Sequence, residues 1–211
     1  PDTITPNGFE NSFVPQGDEY ARKRRSARLL LEELAEKTLG YTLDQEHLFV
    51  GISGRYEYKN KGIDVFVDVM SRLNGDSRTA QPIVAFVIVP AWVREGCYSN
   101  SKFATSAIVN EESDLTLNYI RQRDFGNTPD SRVKIIFVPT YLNGNDGTLN
   151  VPYYDILIGL DLTLFPSYYE PWGYTPMESA AFGIPTVTTS LAGFGQWVSS
   201  VQVGIDNGVA V

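Results

Sequence analysis

The chain has 211 residues, and its 43% hydrophobic content is enough to bury one sizeable core, so we expect a single domain. Its formal net charge of −8 argues against a nucleic-acid surface, which needs a basic field to attract phosphates. No apolar run approaches the roughly 20 residues that cross a membrane. The lone Cys97 rules out an internal disulfide, and the lone His47 leaves no His/Cys cluster for a catalytic metal. These features predict a cytoplasmic protein that uses no metal and contacts neither nucleic acid nor membrane.

Both ends of the sequence are typical of a fragment. The chain opens on Pro1 rather than methionine and closes on a turn followed by the start of a strand, VGIDNGVAV. We therefore expect residues 1–211 to be one domain of a longer protein.

Strands and helices alternate along the chain. The first helix is predicted over 17–40, with Asp18 as its N-cap and Gly40 as its stop. Further helices are predicted at 62–74, 112–126, 153–160 and 175–183, and strands at 48–53, 82–89, 133–138, 162–165 and 185–189. Residues 91–110 show no clear hydrophobic periodicity and are predicted to be a long loop. The pattern predicts an α/β fold, a Rossmann-like parallel sheet with helices on both faces.

Ligands of such sheets bind beyond the carboxyl ends of the strands. Three stretches follow predicted strands there: SGRYEYKNKG (53–62), PTYLNGNDGTLNVPYY (139–154) and PSYYEPWGYTP (166–176). We expect these three stretches to converge on one edge of the sheet.

The first stretch offers two cations beside a helix start. Arg55 and Lys61 flank a turn, and Gly62 opens the next helix. A guanidinium and an ammonium beside a helix N-terminus suit a phosphate or a diphosphate. On this stretch alone, two solvated loop charges are an equally good interpretation.

The last stretch combines an anion site with two acids. Pro176 suits the first turn of a helix, so that the amides around three residues would point outward, namely Gly173, Tyr174 and Thr175. Glu170 lies in the preceding loop, and we place Glu178 in the first helical turn. Carboxylates beside a phosphate site are expected to engage hydroxyls or a developing positive charge, both of which a sugar supplies. The alternatives are an exposed loop acid for Glu170 and a helix-dipole partner for Glu178.

Two other features are predicted to be structural. The basic run RKRR (22–25) is interpreted as a solvated helix face, and His47, just before the first strand, as a structural residue.

Three segments together resemble the C-terminal half of glycogen synthases of the animal and fungal type. They are GRYEYKNKGIDVFVDVMSRLN (54–74), FPSYYEPWGYTPMES (165–179) and GIPTVTTSLAGFG (183–195), and TPNGF (5–9) is similar to that family's entry into its second domain. The resemblance implies one half of a GT-B fold, in which two Rossmann-like domains face each other. It also implies a retaining glucosyltransferase that extends an α-1,4-glucan from a nucleoside-diphosphate glucose.

The resemblance assigns roles to individual residues. Glu170 matches the position beside the donor's anomeric carbon, and Glu178 the position that binds the nucleotide ribose. Arg55 and Lys61 match the pair that holds the diphosphate and neutralises the leaving group, the electrostatic role a metal would otherwise have, so no cofactor is expected. The diphosphate cradle is matched by Gly173, Tyr174 and Thr175, and the base-stacking aromatic by Tyr153, for which ordinary packing at a helix start is the alternative.

Several features of the resemblance stay open. The donor is UDP-glucose or ADP-glucose, and a non-catalytic sugar-nucleotide or glucan-binding module is the alternative from another class. The segment after VAFVIVPA (84–91) is shorter than the insertion used for subunit contacts in the family, although a homo-oligomer of the longer protein is still allowed. Since the chain's own N-terminal GT-B domain is absent from these residues, we expect the fragment alone to bind nucleotide weakly and to lack synthase activity.

Overall fold

The computed structural model describes residues 6–91, 108–147, 149–201 and 205–211. Six parallel strands form one sheet in the order β3-β2-β1-β4-β5-β6. The strands are β1 (Leu48–Ser53), β2 (Ile83–Ile88), β3 (Val133–Val138), β4 (Leu162–Leu164), β5 (Thr186–Val187) and β6 (Val209–Ala210). This order, with its reversal between β1 and β4, confirms the predicted Rossmann-like sheet.

Six helices connect and cover the strands in the described part of the chain. They are α1 (Gly17–Leu39), α2 (Ile63–Gly75), α3 (Leu115–Gln122), α4 (Tyr153–Leu157), α5 (Tyr174–Ala181) and α6 (Gly193–Val201). No helix in these ranges combines the length and the apolar character needed to cross a bilayer.

The sheet is buried on both faces because its longest strands, β1, β2 and β3, are apolar at nearly every position, with Lys134 in β3 and Ser53 at the end of β1 as buried polar exceptions. In β1, Val50 and Ile52 face a core shared with α2 and α3, where Phe66 and Met70 are buried. Phe49, which alternates with them, faces the opposite core, formed mainly with α1 and α4. Runs without hydrophobic alternation, as in β2 and β3, therefore indicated buried parallel strands correctly.

The ends of two helices differ from the predictions. Gly40 does stop α1, with a left-handed φ of 82°, but the N-cap is Gln16, and Asp18 lies in the first turn, where its charge complements the helix dipole. Helix α3 is much shorter than 112–126: Asp114 is its N-cap and accepts a hydrogen bond from the Leu117 amide. Residues 111–113 form a separate 3-10 turn. The predicted loop 91–110 lies mostly outside the described residues.

The basic run at 22–25 is only partly a solvated face. Arg24 donates to Asp161 Oδ1 at 2.6 Å and to two carbonyl oxygens after α4. Arg28, one turn later, also pairs with Asp161. The same carboxylate accepts from the Phe49 amide, so it ties α1 to the start of β1. His47 is buried beside this network, which agrees with a structural role.

Candidate active site

A cleft of about 500 Å³ opens at the carboxyl edge of the sheet. Its walls come from the loops after β1, β3 and β4, with further residues from the end of β2. The three stretches predicted to converge there do so. The lining includes every predicted site residue except Gly173: Arg55, Lys61, Tyr153, Glu170, Tyr174, Thr175 and Glu178.

Lys61 and Glu170 form an ion pair within the cleft. The Lys61 ammonium contacts Glu170 Oε2, and the two side chains are only 10% and 15% exposed. With so little water around it, the pair is held more firmly than a surface salt bridge. A cation that can bind phosphate therefore lies against the acid that the resemblance places beside the sugar.

The loops carrying Lys61 and Glu170 are in direct backbone contact. The Tyr168 amide donates to the Asn60 carbonyl oxygen at 2.9 Å. Next to this bond, Gly62 caps α2 with a φ of 67°, and a Cβ there would lie 2.0 Å from the Pro166 carbonyl oxygen. Only glycine satisfies both the conformation and the space. The start of α2 is therefore seated on the β4 loop.

A second set of backbone contacts holds Glu170 from the other side. Its amide donates to the Leu191 carbonyl oxygen, and its own carbonyl oxygen accepts from the Gly193 amide at 3.1 Å. Together these bonds form an isolated parallel bridge with Ala192. A Cβ on Gly193 would lie 2.3 Å from the Pro171 carbonyl oxygen, which explains a glycine at this close approach. The bridge fixes the backbone of Glu170 to the residues that begin α6.

Helix α5 begins at the cleft as expected. Gly173 is its N-cap with a φ of 102°, and Pro176 lies in the first turn, where its missing N–H costs nothing. First-turn amides have no carbonyl partner inside the helix, and here they belong to Tyr174 and Thr175, which line the cleft. The geometry fits an anion at this point.

Glu178 lies one residue deeper in α5 than predicted, just beyond the first turn. It is the fifth residue of the helix, and no acid occupies the first turn. The alternative that Glu178 complements the helix dipole therefore loses its basis, because that effect is confined to the first turn.

Glu178 is partly buried and accepts a hydrogen bond from a tyrosine that sequence reasoning missed. Tyr154 Oη donates to Glu178 Oε1 at 3.0 Å. Burial raises the pKa of the Glu178 carboxyl above its usual range, while the Tyr154 hydrogen bond acts in the opposite direction. Burial, together with the charge of Glu178, raises the pKa of Tyr154 to about 12, so the phenol stays a donor. The only sequence signal for Tyr154 was its place next to Tyr153.

Tyr153 and Arg55 both line the cleft but differ in how firmly they are held. The Tyr153 hydroxyl is 2.7 Å from Ser53 Oγ at the end of β1, which fixes the ring at the cleft. Burial raises the pKa of Tyr153, so this hydroxyl also stays protonated. Arg55 is 70% exposed and pairs with Glu57 at 2.9 Å. The guanidinium is thus loosely held and can turn toward a ligand.

The family model for glycogen synthase matches residues 1–102 and 98–209 of this chain. The chain is 29% identical to isoform 2 of Saccharomyces cerevisiae glycogen [starch] synthase, in an alignment that covers 95% of this chain and 39% of that protein. It is 28% identical to the liver glycogen [starch] synthase of Rattus norvegicus, in an alignment that covers 92% of this chain and 37% of that protein. The chain spans about two fifths of the length of these curated relatives.

A solved structure that resembles this chain is less similar to it in sequence than the curated glycogen synthases are. WaaG, a glycosyltransferase involved in lipopolysaccharide biosynthesis, aligns with a TM-score of 0.46 at 13% identity, over 90% of this chain and 39% of that one. At this score the alignment carries no weight for function. The match to the family model extends over nearly the whole sequence, and on that basis the chain belongs to the glycogen synthase family.

Proposed function

We propose that this chain is the donor-binding half of a retaining GT-B glucosyltransferase. It binds a nucleoside-diphosphate glucose, with UDP-glucose as the preferred donor, and together with an N-terminal domain it extends an α-1,4-glucan. The observation that carries the proposal is the Lys61–Glu170 ion pair, set in one cleft with the start of α5. A phosphate-binding cation, an acid and outward-facing amides are the groups needed to hold a phosphorylated sugar.

Each part of the donor has a counterpart in the cleft. The diphosphate lies between the cations of Lys61 and Arg55 and the amides of Tyr174 and Thr175. The ribose hydroxyls donate to Glu178. The base stacks on Tyr153, whose ring is already fixed by Ser53.

The chemistry follows from the charges. As the bond from glucose to the diphosphate breaks, positive charge develops at the anomeric carbon, and the Glu170 carboxylate stabilises it. Negative charge develops on the leaving diphosphate, where Lys61 and Arg55 neutralise it. No residue here needs to act as a strong general acid, because a diphosphate is already a good leaving group. The 4-hydroxyl of the glucan end then joins the sugar with retained configuration, and this scheme uses no metal.

The test of donor binding is calorimetry with UDP, ADP and GDP on the wild type and on Arg55→Ala. We expect UDP to bind and Arg55→Ala to weaken it by about 10-fold, since a charged hydrogen bond is lost. Arg78→Ala is the matched control, because Arg78 is 89% exposed and pairs with Asp76 outside the cleft. No heat with any of the three nucleotides would remove the proposal's support.

Two alternatives are separated by further outcomes. A preference for ADP over UDP would favour an ADP-glucose synthase. A non-catalytic module would bind nucleotide but would give no glucosyl transfer when combined with a complete N-terminal domain. We also expect residues 1–211 alone to transfer no glucose to glycogen, and robust transfer by them would contradict the need for a second domain.

A further inference from the structure

We infer that Tyr154 is a positioning residue, which acts on the donor through Glu178 rather than by touching the donor itself. The inference rests on the proposed function, because it assigns Glu178 to the ribose. Its basis is the hydrogen bond from Tyr154 Oη to Glu178 Oε1 at 3.0 Å. The bond fixes one carboxylate oxygen and leaves the other oxygen free to accept from the sugar.

The Tyr154 ring is itself held in place by aromatic neighbours from distant parts of the chain. It stacks on Phe182 at a centroid distance of 5.0 Å and an interplanar angle of 29°. Phe9 meets its edge at 6.3 Å, and Phe13 lies against it at 5.8 Å. A ring packed on several sides has few rotamers to explore, so its hydroxyl presents one fixed donor to Glu178.

The same hydrogen bond opposes the cost of burying a charge. Glu178 loses hydration in the cleft wall, which favours the protonated acid, and a donor aimed at Oε1 favours the carboxylate. The carboxylate accepts hydrogen bonds from the ribose hydroxyls more strongly than the protonated acid does. The other titratable groups that line the cleft are Arg55 and Lys61 after β1, Tyr141 after β3, Tyr153 on α4, Glu170 before α5 and Tyr174 at the start of α5. Lys61 and Glu170 are paired with each other, and the pKa of Glu178 is set by its burial and by the Tyr154 hydrogen bond.

Tyr154→Phe removes the hydroxyl and keeps the ring, so the aromatic packing is preserved. We expect UDP binding at neutral pH to weaken by about 5- to 20-fold, the size of a hydrogen bond to a charged group. Glu178→Gln should weaken UDP by a similar factor, and the double variant should be no weaker than Glu178→Gln alone, because both changes remove one interaction. Additive losses in the double variant would overturn the inference.

A pH profile separates positioning from a general structural role. In Tyr154→Phe the pKa of Glu178 should rise further, so UDP binding should be lost at a higher pH than in the wild type as the solution is acidified. Tyr119→Phe is the matched control: it removes a 2.9 Å tyrosine–carboxylate hydrogen bond to Asp68, outside the cleft. It should leave both the affinity and the profile unchanged.

The outcomes also distinguish this inference from the proposed function. If the wild type binds UDP and Tyr154→Phe binds it equally well with the same acid limb, the inference is wrong and the proposed function stands. If the wild type gives no heat with UDP, both are wrong. A lower melting temperature in Tyr154→Phe with an unchanged profile would mean that the hydroxyl only stabilises the fold, which also overturns the inference.

Discussion

Lys61 and Glu170 are 109 residues apart in sequence, yet their side chains are paired in the cleft. In the proposed function they stabilise the two charges that develop as one bond breaks. Lys61 neutralises the negative charge on the leaving diphosphate, and Glu170 stabilises the positive charge at the anomeric carbon. Without donor, each is the other's counterion. An arriving diphosphate must therefore compete with Glu170 for the Lys61 ammonium.

This competition predicts tighter nucleotide binding when the acid is neutralised. In Glu170→Gln, Lys61 is free for the diphosphate and a repelling charge is gone, so we expect UDP to bind about 3- to 10-fold more tightly by calorimetry. Glucosyl transfer by a full-length enzyme carrying the change should be lost. Asp155→Asn is the control, because it releases Lys23 from an ion pair outside the cleft and should not alter UDP binding. Weaker UDP binding in Glu170→Gln would show that the pair holds the cleft together instead.

Gly62→Ala tests how firmly the two loops are joined. The new Cβ would overlap the Pro166 carbonyl oxygen and would strain a positive φ, so we expect a loss of about 3 kcal/mol or more in the free energy of unfolding. Urea unfolding measures it. Gly75→Ala is the matched control, since Gly75 closes the same helix, with open space around its Cβ position. It should be neutral or slightly stabilising. A loss below about 1 kcal/mol for Gly62→Ala would mean that the loops separate easily.

Glu178 should lower stability as the pH rises. Burial raises its folded-state pKa above the unfolded value, so between the two values the folded state binds more protons and the free energy of unfolding falls with increasing pH. Glu178→Gln removes this loss, and we expect the variant to gain stability relative to wild type between pH 4 and about pH 7. Urea unfolding at both pH values measures the gain. Glu33→Gln, an exposed glutamate on α1, should show a smaller change. If Glu178→Gln and Glu33→Gln changed the free energy of unfolding by the same amount, the raised pKa of Glu178 would be refuted.

Tyr153 can be tested by separating its ring from its hydroxyl. If the ring stacks on the base, Tyr153→Phe keeps UDP binding within about 3-fold, whereas Tyr153→Ala weakens it by about 10-fold or more. The Phe variant should lose about 1 kcal/mol in the free energy of unfolding, because it lacks the hydroxyl that forms the hydrogen bond with Ser53. Equal UDP binding by both variants would favour ordinary packing at the start of α4.

The sequence predicted most of the sheet because buried parallel strands are almost continuous apolar runs, and β1, β2 and β3 are of that kind apart from Ser53 and Lys134. It did not predict α6, because Gly193 and Gly195 lower the helix propensity of its first turn. Both glycines are explained by tertiary contacts: a Cβ on Gly195 would lie 2.2 Å from the Thr189 carbonyl oxygen. Such contacts have no local signature.

The site was predictable to the level of which loops meet, since topology alone brings the strand ends together. The sequence did not predict which side chains would pair with each other. The pairing of Arg24 with Asp161 spans 137 residues, and the bond from Tyr154 to Glu178 depends on which face of α5 turns inward. Both depend on packing between elements that are far apart in sequence.

The parallel bridge between Glu170 and Ala192 has a consequence for mutational scanning. The segment from Leu191 to Gly193 lines no part of the cleft, yet it determines where the Glu170 backbone lies. Bulky or proline substitutions there would shift the acid without removing it. In a screen for glucosyl transfer, substitutions at these positions would reduce activity as substitutions of the catalytic residues do, although the protein would still bind nucleotide.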